Sequence, residues 1–385
     1  MDVLLVGGGV ASLRCARALR RNGFDGSILL VGDEDRAPYN RPPLSKEVLR
    51  DGASDDLLAA EPASWYAKRS VELWTDVRVT ALDPDARRAT FADGSLVSFE
   101  RCLLATGAEL RRLAIPGADQ ALMLRTARDA GSVREAAVAA SQDAPVVVVG
   151  GGFIGLEVAS ALAGLGLRPT VVEVAPALWG GALGTGLAAW AAARLAESGI
   201  VLRLGSSVTR LTPGAAWVGD DRLAAGFVVA GIGVVPRDDL AAQAGIATGD
   251  GILVDAGQRT NHPAIWAAGD VTRVRGRRVE HWHAAREAGE RAALSMLGLP
   301  VPAPKPACVF SEIAGTVLDV FGDATAWDEE RWLVEGSVLA CAVDGRVVHL
   351  MSIDRAVVPE RARELIGSSM EEVQAAVTPR RQIGQ

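Results

Sequence analysis

Two clusters of glycine residues in this chain have the spacing of a loop that holds a phosphate group. The first, Gly7 to Gly9, follows the apolar run Val3 to Val6, and the second, Gly150 to Gly155, follows Val146 to Val149. Glycine lets the chain turn tightly and brings backbone N–H groups close to a pyrophosphate, while the N-terminus of the following helix adds partial positive charge. Each cluster therefore predicts a site for the pyrophosphate of a dinucleotide.

The elements around each glycine cluster recur in the same order. An apolar strand leads into the glycines, a helical stretch follows, and a second strand ends close to an acid. In the first copy Ile28 to Val31 leads to Asp33 and Glu34, and in the second copy Thr170 to Val172 leads to Glu173. An acid at this place accepts hydrogen bonds from ribose hydroxyls. The repeat predicts two nucleotide-binding βαβ units, because glycines that only made tight turns would not explain the recurring acid.

The two copies differ at the position of the third glycine. The second copy is complete, whereas Ser12 occupies that place in the first copy. The third glycine serves close packing of the helix against the strand. Because serine adds only a small side chain, we expect it to be tolerated, with a slightly wider approach of the helix.

The composition excludes several classes of protein. A chain of 385 residues with 49% hydrophobic side chains can form two or three cored domains. The net charge of -7 argues against binding to nucleic acid, whose partners are basic. No apolar run reaches the length of a transmembrane helix, so no membrane association is expected. Since no positive segment precedes Val3 to Val6, we expect a buried strand there rather than a signal peptide, and a cytoplasmic location.

The cysteines and histidines do not form ligand or redox motifs. Cys15, Cys102, Cys308 and Cys341 form no C-x-x-C pair, and scattered single cysteines are typical of core residues in a reduced cytosol. His281 and His283 alternate around Trp282, but a metal site needs further ligands, and the chain has four histidines in all. We therefore predict no metal site.

The order of the motifs predicts an α/β protein in which one Rossmann-like domain is inserted in another. The predicted first nucleotide-binding domain comprises residues 1–112 and 231–302, and the inserted one comprises residues 113–230. Prolines at positions 300, 302, 304 and 306 mark a linker to a C-terminal mixed α+β domain of residues 303–385. Its predicted strands are Thr316 to Phe321, Arg331 to Glu335, Val338 to Val343 and Val347 to Ile353.

Further motifs, in the same order, make the chain resemble the FAD-dependent NADH:ferredoxin reductases of oxygenase systems, of the putidaredoxin reductase and biphenyl dioxygenase reductase types. The most specific stretch is Pro-Tyr-Asn-Arg-Pro-Pro-Leu-Ser-Lys at 38–46. The resemblance covers residues 1 to about 300 well and the C-terminal domain loosely, with apoptosis-inducing factor a more distant relative. The other matching motifs are Ala105 to Gly107, Leu124 to Thr126, Gly150 to Glu157, Gly231 to Pro236, Ala268 to Val271 and Glu280 to Trp282.

The resemblance implies FAD in the first domain, NADH as co-substrate in the inserted domain, and an interface role for the C-terminal domain. The residues that it assigns to FAD are Gly7, Gly9, Ala11, Ser12, Asp33, Glu34, Arg41, Lys46, Val79, Thr106, Gly107, Arg125, Gly269, Asp270 and Trp282. The residues that it assigns to the nicotinamide nucleotide are Gly150, Gly152, Ile154, Gly155, Glu157, Glu173, Gly231 and Gly233.

Glu173 favours NADH over NADPH. A carboxylate forms a good hydrogen bond with a ribose hydroxyl but repels a 2′-phosphate, and residues 174–177 supply no arginine to receive one. The alternative is an ordinary solvated glutamate at the end of a strand.

The resemblance also implies that Lys46 and Glu157 meet beside the flavin N5 atom as a catalytic pair. Lys46 would supply positive charge that favours the reduced flavin, and Glu157 would orient the nicotinamide amide. The alternatives are a surface lysine and a glutamate on a helix face.

Two segments depart from the family pattern. The reductases carry Trp-Ser-Asp-Gln where this chain has Phe310-Ser311-Glu312-Ile313, so Phe310 offers a smaller ring and no indole N–H, or serves only as a core residue. After Trp282, alanines at 284, 285 and 288 replace polar residues of related chains. These departures leave the electron acceptor open.

We expect hydride transfer from NADH to FAD and delivery of single electrons to a [2Fe–2S] ferredoxin that serves an oxygenase. Arginines 273, 275, 277 and 278 would form the docking patch for an acidic ferredoxin, or simply a solvated loop. The alternatives are another acceptor (oxygen, quinone, or a thiol reached through Cys15) and an NADH-sensing redox switch. The sequence leaves the oligomeric state open, with a homodimer among the alternatives.

Overall fold

The computed structural model describes residues 1–378 and shows alternating helices and strands. Within these residues the α-helices are α1 Val10–Arg21, α2 Glu47–Asp51, α3 Asp55–Leu58, α4 Ala63–Lys68, α5 Ala127–Ala139, α6 Phe153–Gly164, α7 Thr185–Glu197, α8 Asp239–Gln243, α9 Trp282–Met296, α10 Pro359–Leu365 and α11 Met370–Val377. The strands are β1 Val3–Val6, β2 Ile28–Val31, β3 Val71–Trp74, β4 Val79–Asp83, β5 Arg88–Phe91, β6 Leu96–Ser98, β7 Arg101–Leu104, β8 Ala108–Leu110, β9 Ala121–Met123, β10 Pro145–Val149, β11 Arg168–Val172, β12 Val201–Arg203, β13 Val208–Thr212, β14 Ala215–Val218, β15 Asp221–Ala224, β16 Phe227–Ala230, β17 Val234–Pro236, β18 Ile252–Val254, β19 Ile265–Ala267, β20 Thr272–Val274, β21 Cys308–Ile313, β22 Thr316–Phe321, β23 Glu329–Val334, β24 Val338–Val343 and β25 Arg346–Ile353.

The chain forms two compact units. The first unit comprises Met1–Arg41, Ser54–Glu109 and Val234–Pro304. The second unit comprises Pro42–Ala53, Leu110–Gly233 and the described residues from Lys305 onward. The predicted division into three domains is finer than this and stays a prediction, and residues 379–385 of the predicted C-terminal domain lie outside the described residues.

The first unit contains a parallel sheet in the order β19-β7-β1-β2-β3. Strands β1 and β2 are wholly buried runs of valine, leucine and isoleucine, as a parallel sheet covered on both faces requires. In a parallel sheet, the carboxyl ends of the strands meet at one edge. The segments after β1, β2, β7 and β19 therefore lie along the same edge, and these segments contain most of the predicted FAD residues.

Helices α1 and α9 cover one face of this sheet, and they pack closely. A Cβ atom added to Gly289 of α9 would lie 2.1 Å from the carbonyl oxygen of Ala11 in α1. Cys15 is part of the same apolar core. The opposite face is covered by a core that includes Val79 and Phe91 of the antiparallel sheet β4-β5-β6.

The second unit contains another parallel sheet, in the order β12-β11-β10-β16-β9. Its carboxyl edge contains the segments after β10, β11 and β16, which carry the predicted nicotinamide residues. Helix α2, which follows the proline-rich loop, packs against α5 and α6 of this unit. The α/β fold class with two parallel nucleotide-binding sheets is therefore confirmed.

The C-terminal part of the second unit is an antiparallel sheet in the order β21-β22-β25-β24-β23, with α10 and α11 packed on it. Strands β22 and β24 have the predicted bounds, while β23 begins two residues earlier than predicted. Strand β21, which includes Phe310, is an edge strand of this sheet. Within residues 1–378, no helix is both long and apolar enough to cross a membrane.

Candidate functional site

The first glycine turn, Gly7 to Gly9, connects β1 to α1. Gly7 has a φ of +121°, and a Cβ atom there would lie 2.1 Å from the carbonyl oxygen of Ala105. Gly9 is the N-cap of α1 and provides no side-chain cap, and a Cβ atom added to it meets nothing within 4 Å. The backbone N–H groups at the start of α1 are thus accessible from the side of Gly9. This arrangement fits a pyrophosphate.

Ser12 lies in the first turn of α1 and is fully buried. Its hydroxyl oxygen has no hydrogen-bond partner among the described residues. A buried hydroxyl without a partner is costly, and a bound phosphate would supply the missing acceptor. Ala11 of the same turn is also buried.

The acids after β2 are held by cationic and phenolic groups. Burial opposes ionisation of Asp33, but the Arg237 guanidinium donates a 2.7 Å hydrogen bond to it, and the pKa of Asp33 is lowered. The carboxylate of Glu34 accepts hydrogen bonds from the Tyr39 hydroxyl at 2.7 Å and from Arg41 at 2.5 Å. Burial opposes the charge of Arg41, yet the charges of Tyr39, Glu34 and Asp270 raise its pKa overall. The lowered pKa of Asp33 keeps its carboxylate charged at neutral pH.

The other predicted FAD residues of the first unit lie in three further segments, after β7, after β19 and at the start of α9. The Thr106 hydroxyl donates to the carbonyl oxygen of Arg237, and the carbonyl of Gly107 accepts from the Arg237 N–H group. Gly269 packs against Ala11. Trp282 begins α9, and its ring lies 4.3 Å from the guanidinium carbon of Arg286.

Three predicted FAD residues are not placed among these segments. The side chain of Val79 is part of the core on the face of the sheet opposite α1 and α9, which leaves only its backbone for a ligand. Lys46 and Arg125 belong to the second unit. The backbone N–H group of Arg125 donates to Asp129, which caps α5.

The second glycine turn, Gly150 to Gly152, connects β10 to α6. Gly150 has a φ of +115°, and a Cβ atom there would lie 2.3 Å from the carbonyl oxygen of Gly231. A Cβ atom added to Gly155 would lie 2.0 Å from the carbonyl oxygen of Gly150. Gly152 is the N-cap of α6, again without a side-chain cap, and a Cβ atom there meets nothing within 4 Å. This turn also fits a pyrophosphate.

Glu173 lies beside the second turn and is held by backbone groups. Its carboxylate accepts hydrogen bonds from the N–H groups of Gly151 at 2.5 Å and Ala175 at 2.7 Å. No lysine or arginine within residues 1–378 forms an ion pair with it. Ile154 is exposed at the start of α6, and Gly233 follows Gly231 at the edge of the sheet. The Glu173 N–H group donates to the carbonyl oxygen of Arg203, whose guanidinium lies 3.8 Å from Asp221. Within the described chain, Glu173 therefore has no cationic side chain paired with it.

Trp179 lies next to the second turn, and the sequence reasoning missed it. Its backbone N–H group donates a 2.9 Å hydrogen bond to the carbonyl oxygen of Gly151, and its ring centroid lies 5.7 Å from that of Phe153. Its φ of +54° is rare for tryptophan. The signal that could have found it is the Trp-Gly-Gly run at 179–181, shortly after the acid.

Lys46 and Glu157 form a buried ion pair in the second unit. The ammonium nitrogen of Lys46 lies 2.8 Å from Oε2 of Glu157, and their side chains are 9% and 3% exposed. The Ser45 hydroxyl donates to the same oxygen, and the Ser311 hydroxyl donates to Oε1 at 2.7 Å. The Phe310 ring centroid lies 5.8 Å from the Lys46 nitrogen. The structure thus excludes a surface lysine and an exposed helix-face glutamate, while the catalytic role of the pair stays a prediction.

The cysteines offer no accessible thiol. All four are buried. Burial raises the pKa of the Cys15 and Cys102 thiols far above the usual value and raises that of Cys341 to about 12. Within residues 1–378 no group of three or more histidine, cysteine, aspartate or glutamate side chains could hold a metal ion. Neither thiol exchange nor metal binding has a visible site there.

The arginines of the predicted docking patch are partly engaged within the first unit. Arg273 donates to the carbonyl oxygens of Gly276 and Gly249. Arg278 forms ion pairs with Asp250 and Glu280, and its side chain is 11% exposed. These contacts favour a structural role for Arg278.

The two parallel sheets with their glycine turns define an oxidoreductase that binds two dinucleotides. The family model described as pyridine nucleotide-disulphide oxidoreductase matches residues 1–289. The chain belongs to this family. The predicted oxidoreductase class and the cofactors FAD and NADH are thereby confirmed.

Several relatives are similar over most of their length. The ferredoxin–NAD(+) reductase component of the biphenyl dioxygenase system of Paraburkholderia xenovorans (strain LB400) is 36% identical over 84% of this chain and 81% of the relative. The rubredoxin–NAD(+) reductase of Pseudomonas putida is 32% identical over 86% of this chain and 88% of the relative. Among solved structures, the reductase of the covalent putidaredoxin reductase–putidaredoxin complex has a TM-score of 0.90 at 28% identity, covering 96% of this chain and 93% of that chain. These similarities confirm the predicted resemblance.

Proposed function

We propose that this protein is an NADH-dependent flavoprotein reductase that delivers single electrons to a [2Fe–2S] ferredoxin serving an oxygenase. When bound, FAD supplies the chemistry, because it takes a hydride from NADH and releases the two electrons one at a time. The observation that supports a ferredoxin as the electron acceptor is the 36% identity to the ferredoxin–NAD(+) reductase of a dioxygenase system. The putidaredoxin reductase fold, at a TM-score of 0.90, supports the same type of partner.

In this proposal the first turn holds FAD and the second turn holds NADH. Gly7, Gly9 and the start of α1 bind the FAD pyrophosphate, and the acids after β2 bind its adenosine ribose. Gly150, Gly152 and the start of α6 bind the NADH pyrophosphate, and Glu173 accepts from the ribose hydroxyls. The absence of an ion pair at Glu173 within the described residues supports NADH over NADPH.

Lys46 and Glu157 are proposed as the residues that act on the electron transfer from NADH. A buried lysine presents its charge in a medium of low dielectric, where it stabilises developing negative charge more strongly than it does in water. The Glu157 carboxylate holds this ammonium group at 2.8 Å. Glu157 thereby fixes the position of the charge.

A thiol acceptor is disfavoured. A thiol reductase uses an accessible thiolate near the flavin. Cys15, the candidate nearest to the first turn, is 0% exposed, and burial raises the pKa of its thiol.

Rubredoxin is the second candidate acceptor. Two relatives that are 32% and 30% identical are named rubredoxin–NAD(+) reductases. Rubredoxin and ferredoxin both accept one electron, so the same reductase chemistry serves either.

The test is NADH-driven reduction of cytochrome c by the purified flavoprotein, alone and with an added [2Fe–2S] ferredoxin or rubredoxin. The proposal expects turnover to rise at least about tenfold with ferredoxin. A larger stimulation by rubredoxin would favour the second candidate. Rapid turnover with oxygen or quinone alone would contradict both candidates, and a long-lived reduced protein that neither carrier oxidises would favour the redox switch.

A further inference from the structure

Strand β21 touches the buried ion pair through consecutive residues. The Phe310 ring lies beside the Lys46 ammonium group, the Ser311 hydroxyl donates to Glu157, and the Glu312 carboxylate pairs with Arg50 at 2.5 Å. Successive side chains of a strand point to opposite faces of the sheet, so β21 meets neighbouring elements on both faces. The segment that departs from the family pattern is therefore in contact with the predicted catalytic pair.

The two oxygens of Glu157 have different surroundings. Oε2 accepts from Lys46 and from Ser45, whereas the Ser311 hydroxyl is the single donor to Oε1 within residues 1–378. Both side chains of this contact are nearly inaccessible, with Glu157 4% exposed and Ser311 2% exposed. Solvent therefore has little access to replace the serine hydroxyl.

We propose that Ser311 is a positioning residue for the reductase reaction. Its hydroxyl fixes the orientation of the Glu157 carboxylate, and that carboxylate in turn holds the Lys46 ammonium group. This inference rests on the proposed function, because it assigns to Ser311 an effect on the reaction through Lys46 and Glu157.

The physical reason is the cost of an unpaired buried carboxylate oxygen. If the hydroxyl is removed, Oε1 loses its donor, and the carboxylate either turns away from Lys46 or takes up a proton. Both outcomes weaken the hold on Lys46. A proton is taken up more readily as the pH falls, so the variant loses activity at a higher pH than the wild type does.

The decisive variants are Ser311→Ala, Ser311→Thr and Ser160→Ala. Threonine keeps the hydroxyl. Ser160 is a matched control from the same contact between α6 and β21, because its hydroxyl accepts from the Ala314 N–H group at 2.9 Å and does not touch Glu157. Loss of the Ser160 hydroxyl disturbs the packing of the two elements without removing a donor to the pair.

Three measurements separate positioning from simple packing. They are the rate of flavin reduction by NADH as a function of pH, the dissociation constant of NAD+, and the rate at which acetic anhydride acetylates Lys46, followed by mass spectrometry. For Ser311→Ala we expect a reduction rate about tenfold lower at neutral pH, as expected for the loss of about one hydrogen bond. We also expect a fall of activity beginning at higher pH and faster acetylation of Lys46. Ser311→Thr should restore all of these values towards the wild type, and Ser160→Ala should leave them unchanged.

The inference is wrong if Ser311→Ala keeps the wild-type pH profile and Lys46 reactivity, or if Ser160→Ala changes them equally. A failure of the proposed function is distinguishable. If Lys46→Met is reduced by NADH at the wild-type rate, the pair has no role in the reaction, whereas the acetylation rates still report whether Ser311 holds Lys46. Should Ser311→Ala not fold, Ser311→Cys takes its place in the acetylation assay, because it keeps the shape of the side chain but replaces the hydroxyl by a weaker donor. Lys46 reactivity equal to that of the wild type would then contradict the inference.

Discussion

The two glycine turns have the same local form but differ in what surrounds them. At the second turn a Cβ atom on Gly155 would lie 2.0 Å from a backbone carbonyl oxygen, whereas the first turn accommodates Ser12 at the same place. The acids differ as well. Asp33 pairs with Arg237 and Glu34 with Arg41, whereas within residues 1–378 Glu173 is held by backbone N–H groups alone.

In the proposed function the first turn holds the resident FAD and the second turn the exchanging NADH, and this difference is the one expected between two such sites. Side chains from several segments form hydrogen bonds with the acids after β2. A ligand bound at the first turn would therefore join an existing hydrogen-bond network. At the second turn, α6 packs more closely on the glycines, and the Glu173 carboxylate has no cationic partner in the described chain. A carboxylate of this kind suits a ribose hydroxyl and repels a 2′-phosphate. We therefore expect variants at the first turn to change FAD retention and variants in the second unit to change the use of NADH.

Replacement of Lys46 by Met should have the largest effect. It removes the buried positive charge and leaves Glu157 without its cation, so flavin reduction by NADH should slow by about 100-fold. Stopped-flow absorbance of the flavin measures this rate. The FAD content should stay at the wild-type level, and loss of FAD from this variant would break the distinction between the two regions.

Gly155→Ala should come next. Its Cβ atom would meet the carbonyl oxygen of Gly150, which cannot move without distorting the second turn. We expect the KM for NADH to rise at least about tenfold, measured by steady-state kinetics, with normal FAD content. Gly164→Ala in the same helix is the control, because a Cβ atom there meets nothing within 4 Å. Equal effects of both variants would show that the helix as a whole, and not the turn, is sensitive.

Ser12→Ala should have a smaller effect, and its effect on cofactor binding should be confined to FAD. The Ser12 hydroxyl is buried without a partner among the described residues, so its loss should raise the unfolding free energy of the apoprotein by about 1 kcal/mol. If the hydroxyl donates to FAD, the dissociation constant of FAD should rise about fivefold. Titration of the apoprotein with FAD measures this dissociation constant. An unchanged value would show that Ser12 does not donate to FAD.

Arg237→Ala should have the smallest effect, and it should depend on pH. The folded-state pKa of Asp33 is lowered, so its pairing stabilises the fold above the unfolded pKa of about 3.9 and loses this effect as the pH falls through the lower folded value. Because Asp33 is 36% exposed, the difference in unfolding free energy should stay below about 1 kcal/mol. Urea unfolding at pH 7, 5 and 3 tests this. A difference that grows towards pH 3 would contradict the assignment.

The sequence by itself determined both glycine turns, their flanking strands and the acids that follow. These features are local, since a run of β-branched and leucine residues, a glycine turn and an apolar helix face specify a βαβ unit within about 30 residues. The bounds of β1, β2, β22 and β24 could be predicted for the same reason. The order of the motifs was enough to indicate two dinucleotides.

Tertiary structure alone decided what surrounds Glu157. Ser45 and Ser311 lie 112 and 154 positions away from it in the chain, and no local pattern relates residues at such separations. The sequence indicated that Lys46 and Glu157 form a pair only through the family resemblance. Likewise, the sequence marked Phe310 to Ile313 as a departure, but only the packing of an edge strand against α6 showed that Ser311 donates to the buried carboxylate, because burial and hydrogen-bond partners are properties of the folded chain.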